Sequence, residues 1–225
     1  MNKKVLDNPQ VTDNRNYDYS GFEEIERPEY DIISGFVAQN SSVVDLGCGN
    51  GTLLQKLQRE KNCTGKGIEL SPSAVEVCLK KHLDVLNSRI DTPSTFEANS
   101  FDYAICNVTI QMVMYPEVLL TEMKRIAKKQ IISFPNFAYY KNRIDILLNG
   151  VMPRPQLFGY SWYNTGHIHQ LSLIDFHHLL EKVGGLKVVS QYFVSTDSGW
   201  KNFLMKLFPN LFQPITIFLL EKIDE

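Results

Sequence analysis

The stretch VVDLGCGNGTLLQKL, residues 43–57, constrains the fold more than any other part of the chain. A short apolar run ends in Asp45 and Leu46. Gly47, Gly49 and Gly51 follow at alternate positions, and Leu53, Leu54 and Leu57 then repeat at helical spacing. Strand, glycine-rich turn and helix in that order open a βαβ unit. Glycine takes positive φ and lets another group approach the bare backbone, and the helix behind it presents unpaired N–H groups. In an open parallel sheet, ligands bind beyond the carboxyl ends of the strands, where the strand order reverses. The turn is therefore read as a ligand-binding loop, against the plainer reading of a glycine-rich turn in a fold that binds nothing.

The rest of the chain repeats the pattern. Tyr30, Ile33, Phe36 and Val37 share one helical face. TGKGIEL, LDVLN, FDYAICN and QIISF read as the second to fifth strands. In the fourth, Phe101, Tyr103 and Ile105 alternate, with Ala104 and Cys106 also open to burial. Ser71 and Pro72 start one helix. Pro116 starts another that runs through PEVLLTEMKRIAKK, with Lys124, Arg125, Lys128 and Lys129 in its last turns to complement its dipole. A helix is expected from Tyr139 to Leu148, followed by a loop rich in proline, glycine and aromatics. Ser172 and Asp175 form a capping-box pattern before a helix that Gly184 and Gly185 end. LKVVSQYFV and PITIFLLEK supply two last strands, with a short helix over SGWKNFLMKLF between them. Strands alternating with helices predict an α/β fold, a seven-stranded, mostly parallel sheet with helices on both faces and an antiparallel edge strand. Residues 1–25, polar and rich in Asn and Asp, are expected to form a mobile N-terminal arm, and residues 26–225 a single domain.

Net charge is -2 with no run of one sign, so no basic face for nucleic acid is evident. The apolar run ITIFLL is too short to cross a membrane, and the charged N-terminus lacks the apolar core of a signal peptide. Cys48, Cys63, Cys78 and Cys106 form no CxxC pair and match no zinc framework, which predicts reduced thiols in a cytoplasmic protein and no metal site.

Two features narrow the ligand. The glycines follow GxGxG rather than GxGxxG, and Thr52 stands where a dinucleotide fold places its third glycine, which disfavours a pyrophosphate and a nicotinamide-dependent oxidoreductase. Glu69 closes the second strand, where an acid can accept hydrogen bonds from a ribose. Groups for chemistry belong beyond the fourth strand, at Asn107, Thr109 and Gln111. Asn107 is a candidate for orienting an acceptor or a cofactor, or is a loop residue satisfying its own backbone. His167 and His169 would share one face of a strand. His169 is a candidate base or hydrogen-bond donor, and no carboxylate is spaced to complete a metal pair. His177 and His178 read as surface or packing residues. Phe137, Tyr139, Tyr140, Phe158, Tyr160, Trp162 and Tyr163 form an aromatic segment suited to a lid, a partner surface or core cover.

Strand, GxGxG, helix, strand and terminal acid together resemble the class I S-adenosylmethionine-dependent methyltransferases. The segments VVDLGCGNG, GIEL, SFDYAICNVTIQ, SFPNF and YNTGHIH more closely resemble the methionine biosynthesis protein MetW family, over roughly Arg27 to Lys222. The resemblance implies a three-layer, Rossmann-like class I methyltransferase fold and S-adenosyl-L-methionine as cofactor, with S-adenosyl-L-homocysteine as product. It implies cofactor contacts by Asp45, the loop Gly47, Cys48, Gly49 and Gly51, Glu69, and Asn107. It also implies transfer of a methyl group to a small molecule, or alternatively a non-catalytic role assisting homoserine O-acetyltransferase. One departure stands out. Arg89 occupies the place after the third strand where the family carries an acid for the adenine amino group, and arginine cannot accept a hydrogen bond. Asp91 or a backbone carbonyl would have to serve instead.

Overall fold

The structure, a computed structural model, describes residues 27–154, 165–194 and 198–223. The expected arm over 1–25, and Phe158, Tyr160, Trp162 and Tyr163 of the aromatic segment, lie outside the described residues.

Helix α1 (Pro28–Phe36) precedes β1 (Ser42–Leu46), α2 (Thr52–Lys61), β2 (Thr64–Glu69), α3 (Pro72–Lys80), β3 (Asp84–Asn87) and β4 (Phe101–Asn107). Helix α4 (Pro116–Ile126), β5 (Ala127–Pro135), α5 (Tyr140–Ile144), α6 (Leu173–Val183), β6 (Leu186–Phe193), α7 (Gly199–Leu207), α8 (Pro209–Phe212) and β7 (Ile215–Lys222) follow. The seven strands lie in the order β3-β2-β1-β4-β5-β7-β6. Strands β1 to β5 pair in parallel, and β7 runs antiparallel to both β5 and β6. The antiparallel pairings thus gather at one edge, as expected for two strands joined without a long crossover.

Alternation along the central strands divides the core. Val44, Leu46, Ala104 and Cys106 face α4 and α6, packing on Leu120, Met123 and Phe176. Val43, Tyr103 and Ile105 face α1, α2 and α3, packing on Ile33, Leu54 and Leu57. Strands buried on both faces read as continuous apolar runs, which is why β4 buries Ala104 and Cys106 as well as Tyr103 and Ile105. The Ser172–Asp175 capping box forms in full, with the serine hydroxyl and backbone on one side and the aspartate carboxylate and N–H on the other.

Three expectations need correction. Helix α4 stops at Ile126, and Ala127–Lys129 already belong to β5, because Ala127 takes extended dihedrals and pairs with Phe101. Lys128 and Lys129 therefore serve no helix dipole. They pair with Asp102 at 2.8 Å and Glu221 at 3.4 Å. The helix expected over Tyr139–Leu148 is α only to Ile144, then widens into a π turn over Asp145–Asn149 that ends at Gly150, φ +64°. Within this turn Leu147 and Leu148 stand 81% and 73% exposed. Finally, the chain around His167 and His169 forms no strand.

Candidate functional site

The parallel strands β2, β1 and β4 are adjacent, so Glu69, Asp45 and Asn107 come to one edge of the sheet. Between β1 and α2, Gly47, Gly49 and Gly51 all take left-handed φ of +83°, +55° and +75°. An L-residue at each of these positions would be strained. The bare backbone is approached first by the protein itself. A Cβ at Gly47 would lie 2.6 Å from Thr109 Cγ2, and one at Gly51 would strike Leu83 and lie 2.9 Å from Cys78 Sγ. The outer two glycines thus admit neighbouring side chains.

Gly49 is held by the acid predicted to bind ribose. Its N–H donates to Glu69 Oε2 at 2.8 Å, while Glu69 Oε1 accepts from the N–H groups of Leu70 and Ser71, each at 2.8 Å. A carboxylate has about four lone-pair positions. One therefore remains, on Oε2, for a further donor. Asn50 covers the start of α2, with its Oδ1 accepting from the Thr52 hydroxyl at 2.8 Å and the Thr52 N–H at 3.4 Å. That side chain occupies the helix terminus on which a dinucleotide fold would seat a pyrophosphate.

Asp45 is 2% exposed, and its Oδ1 is buried without a hydrogen-bond partner. Burial, and then the nearby Glu69 charge, push its pKa up to about 7. Burial also raises Glu69, against the three N–H bonds that pull it down. A positive charge beside these two acids would favour their ionised forms.

Asn107 is oriented by Ser133, whose hydroxyl donates to its Oδ1. Its free hydrogen-bonding group is therefore the amino group, a donor. Val108, the next residue, is β-branched yet has φ +57°. Its N–H is held at 3.0 Å from both the Ser133 carbonyl and hydroxyl oxygens, which fixes the strained turn beside the site. Ser133 lies in the SFPNF segment, but sequence alone gave it no role. Its position across the β4–β5 ladder supplies one.

His169 reaches the same edge through the loop after β4. The N–H groups of Ile168 and His169 donate to the Gln111 carbonyl at 2.9 and 3.1 Å. The Nε2 atoms of His167 and His169 and Oε1 of Gln111 are buried without partners. Burial pulls His167 down to about 4, so it is neutral near pH 7, and its Nδ1 lies 2.7 Å from the Thr165 hydroxyl. His177 and His178 are exposed on α6, as expected. Among the described residues, no group of His, Cys, Asp and Glu could hold a metal ion, and no helix is long and apolar enough to cross a membrane.

Cys48 turns inward, with its Sγ 2.7 Å from where a Cβ on Gly67 would stand, so it can offer a ligand only its backbone. Arg89 folds onto Asp91 at 2.8 Å. The same Asp91 oxygen accepts from the N–H groups of Met114 and Tyr115, leaving Oδ1 as its unpartnered atom. Two pins lie beyond β5, Asn136 within the SFPNF segment and Asn142 with no motif to mark it. Asn136 donates to the Asn210 and Gln213 carbonyls, and Asn142 to those of Phe137 and Arg154, tying down the segment that the aromatic pattern marked as lid or partner surface. Phe137 itself is core, while Tyr139 and Tyr140 pack edge to face.

Solved structures with this architecture include an S-adenosylmethionine-dependent methyltransferase from Aquifex aeolicus, at TM-score 0.58 and 17% identity over 87% of this chain and 89% of that one. A possible histamine N-methyltransferase from Thermotoga maritima matches at TM-score 0.59 and 18% identity, over 87% of this chain and 88% of that one. The [4+2]-cyclase SpnF matches at TM-score 0.62 and 13% identity, over 88% and 80%. One fold thus carries more than one chemistry. The bifunctional methionine biosynthesis protein MetXA/MetW of Rhodopirellula baltica is 33% identical over 179 residues, 74% of this chain. The match spans 28% of that relative's length. The family profile for methionine biosynthesis protein MetW matches residues 27–220. The chain therefore belongs to the MetW family.

Proposed function

We propose that this chain binds S-adenosylmethionine at the carboxyl edge of β2, β1 and β4 and transfers its methyl group to a small molecule. The acidic pair carries the proposal. Asp45 and Glu69 lie at that edge, both raised by burial, and Asp45 also by the Glu69 charge. A ligand with a net positive charge relieves both, whereas an anionic dinucleotide would aggravate them. The cofactor supplies an electrophilic methyl group on a sulfonium, and the protein's share is alignment and exclusion of water. Glu69 would accept a ribose hydroxyl through the remaining position on Oε2, and the Asp45 carboxylate would face positive charge. The Asn107 amino group would donate to cofactor or acceptor. His169 is the candidate base, for an acceptor that must lose a proton. Asp91 Oδ1, left without a partner two positions from Arg89, or a backbone carbonyl would accept from an adenine amino group.

Calorimetric titration tests the site. In Glu69→Gln one oxygen still serves two N–H groups, but an amide NH₂ now faces the Gly49 N–H. The variant also lacks the ionised acceptor on Oε2 for a ribose hydroxyl, a hydrogen bond to a charged group worth roughly 1.5–3 kcal/mol, so affinity should fall about ten- to hundredfold. S-adenosylmethionine that binds wild type and variant equally would place the cofactor elsewhere. No binding to the wild type would refute the reading.

A second reading has its own observation. A MetW relative is joined in one chain to a MetXA unit, and this chain exposes Ile144, Leu147, Leu148 and Met152 on one short segment. Exposed apolar clusters of this kind mark partner surfaces. In this reading the chain docks homoserine O-acetyltransferase and assists it, and mixing the two should raise acetyltransferase activity.

A further inference from the structure

We propose that Cys48 and Cys78 form a redox-reactive pair, and that their oxidation to a disulfide distorts the glycine loop and releases its ligand. Cys48 is the middle of the loop, and Cys78 reaches it from α3. Both thiols lie against one atom, the Gly49 carbonyl oxygen, with Cys78 Sγ at 3.2 Å and Cys48 Sγ at 3.9 Å. Each occupies space left by a bare glycine. A Cβ at Gly51 would come to 2.9 Å from Cys78 Sγ, and one at Gly67 to 2.7 Å from Cys48 Sγ. The two thiols also hydrogen-bond to each other.

The arrangement gives them different roles. Interaction with Cys48 pulls Cys78 below the ordinary thiol value, while Cys78 and burial push Cys48 up. Within this proposal Cys78 attacks and Cys48 resolves, from a pair that is buried, Cys78 at 0% exposure and Cys48 at 8%. The other two cysteines are placed apart. Cys63 lies against the carbonyls of Ala38 and Lys61, and Cys106 packs in the core on the other face of the sheet with its thiol pushed up to about 12.

With hydrogen peroxide as oxidant, the Cys78 thiolate attacks one peroxide oxygen. An S–O bond forms, the O–O bond breaks and hydroxide leaves. The Cys48 sulfur then attacks the sulfenic sulfur. The S–S bond forms, the S–O bond breaks, and the Cys48 proton leaves with that oxygen as water. The proton that Cys78 released on ionising turns the hydroxide into water, so two thiols lose two electrons and one peroxide yields two waters. A disulfide closes the sulfurs to about 2.05 Å, well inside the reach of a thiol–thiol hydrogen bond. Closing that gap withdraws Cys78 from the Gly49 carbonyl and pulls residue 48 toward α3. Gly49, whose N–H sits on Glu69, is the next residue.

The consequence for ligand rests on the cofactor reading above, while the cross-link does not. The full chain is treated with hydrogen peroxide and digested with the remaining thiols blocked. Hydrogen exchange of the loop amides and calorimetric binding of S-adenosylmethionine are then measured before oxidation, after it, and after reduction with dithiothreitol. The expected result is a peptide pair joined through Cys48 and Cys78, lost in Cys78→Ser and in Cys48→Ser and retained in Cys63→Ser. Faster exchange at residues 49–52 and at least a tenfold loss of affinity should accompany it, and both should reverse on reduction. Thiols that stay reduced, or cross-links that run through Cys63 or Cys106, would overturn the pair. A 48–78 link with unchanged exchange would overturn the distortion. Reduced protein that binds no S-adenosylmethionine would refute the cofactor reading alone, because the cross-link and the exchange are read without ligand.

Discussion

Replacing Asp45 with asparagine should change how stability depends on pH in a direction fixed by the site. The wild-type carboxyl is buried on a central strand, with Oδ1 unpartnered and Glu69 nearby. Its pKa rises from 3.8 to about 7 on folding. The folded state therefore holds a proton that the unfolded chain has already lost, and stability falls as pH rises through that window. Three pH units correspond to about 4 kcal/mol, lost between roughly pH 4 and pH 7. His167 works the other way. Its pKa falls from 6.5 to about 4, so the unfolded chain binds the extra proton and stability rises with pH between those values. The two slopes oppose each other below about pH 6.5, and Glu69, also raised by burial, adds to the fall with pH. Asp45→Asn removes one slope. The buried amide costs about 1–3 kcal/mol where it lacks partners, leaving a net gain of about 1–3 kcal/mol at pH 8, or several degrees of Tm. At pH 4.5 the variant should match the wild type or fall below it. Thermal unfolding of the ligand-free chain, scanned from pH 4.5 to 8, checks this. Parallel curves for wild type and variant would show that Asp45 ionises normally and would remove the electrostatic argument for a cationic ligand.

Three further outcomes are expected. Binding of S-adenosylmethionine should weaken below pH 7, by up to about tenfold per unit, because Asp45 must then give up its proton to meet a cation; calorimetry at pH 6, 7 and 8 reads this. Gly51→Ala should destabilise the fold by roughly 2–4 kcal/mol in urea unfolding, since its positive φ and its contact with Leu83 and Cys78 both resist a methyl group. Leu147→Ser with Leu148→Ser should shift stability by no more than about 0.5 kcal/mol per site, both being exposed. The same pair should weaken co-elution with homoserine O-acetyltransferase, and unchanged co-elution would place the partner surface elsewhere.

The Gly47–Gly51 loop shows how far sequence reading reaches. Three alternate glycines between a strand and a helix announced positive φ, and all three adopt it. The sequence could not say who approaches them. Thr109 and Leu83 lie 62 and 32 positions away from the glycines they touch, and only the parallel pairing of β1 with β4, and of β2 with β3, brings their loops alongside. The misplaced end of α4 has a related cause. Ala127, Lys128 and Lys129 continue a good helical pattern, but pairing with β4 outweighs local propensity where both are satisfiable.

By itself, then, the sequence determined the alternation of strands and helices, the parallel sheet with antiparallel pairing at its end, the glycine loop and the acid closing β2. Those features depend on local periodicity, on backbone freedom at glycine and on the short reach of caps. Tertiary structure alone decided that Glu69 grips Gly49, that Ser133 turns Asn107 into a donor, that Arg89 folds onto Asp91, and that Cys48 meets Cys78. Each of these joins residues through strand register or helix packing. Register and packing are set by burial over the whole sheet, and no short window of sequence contains them.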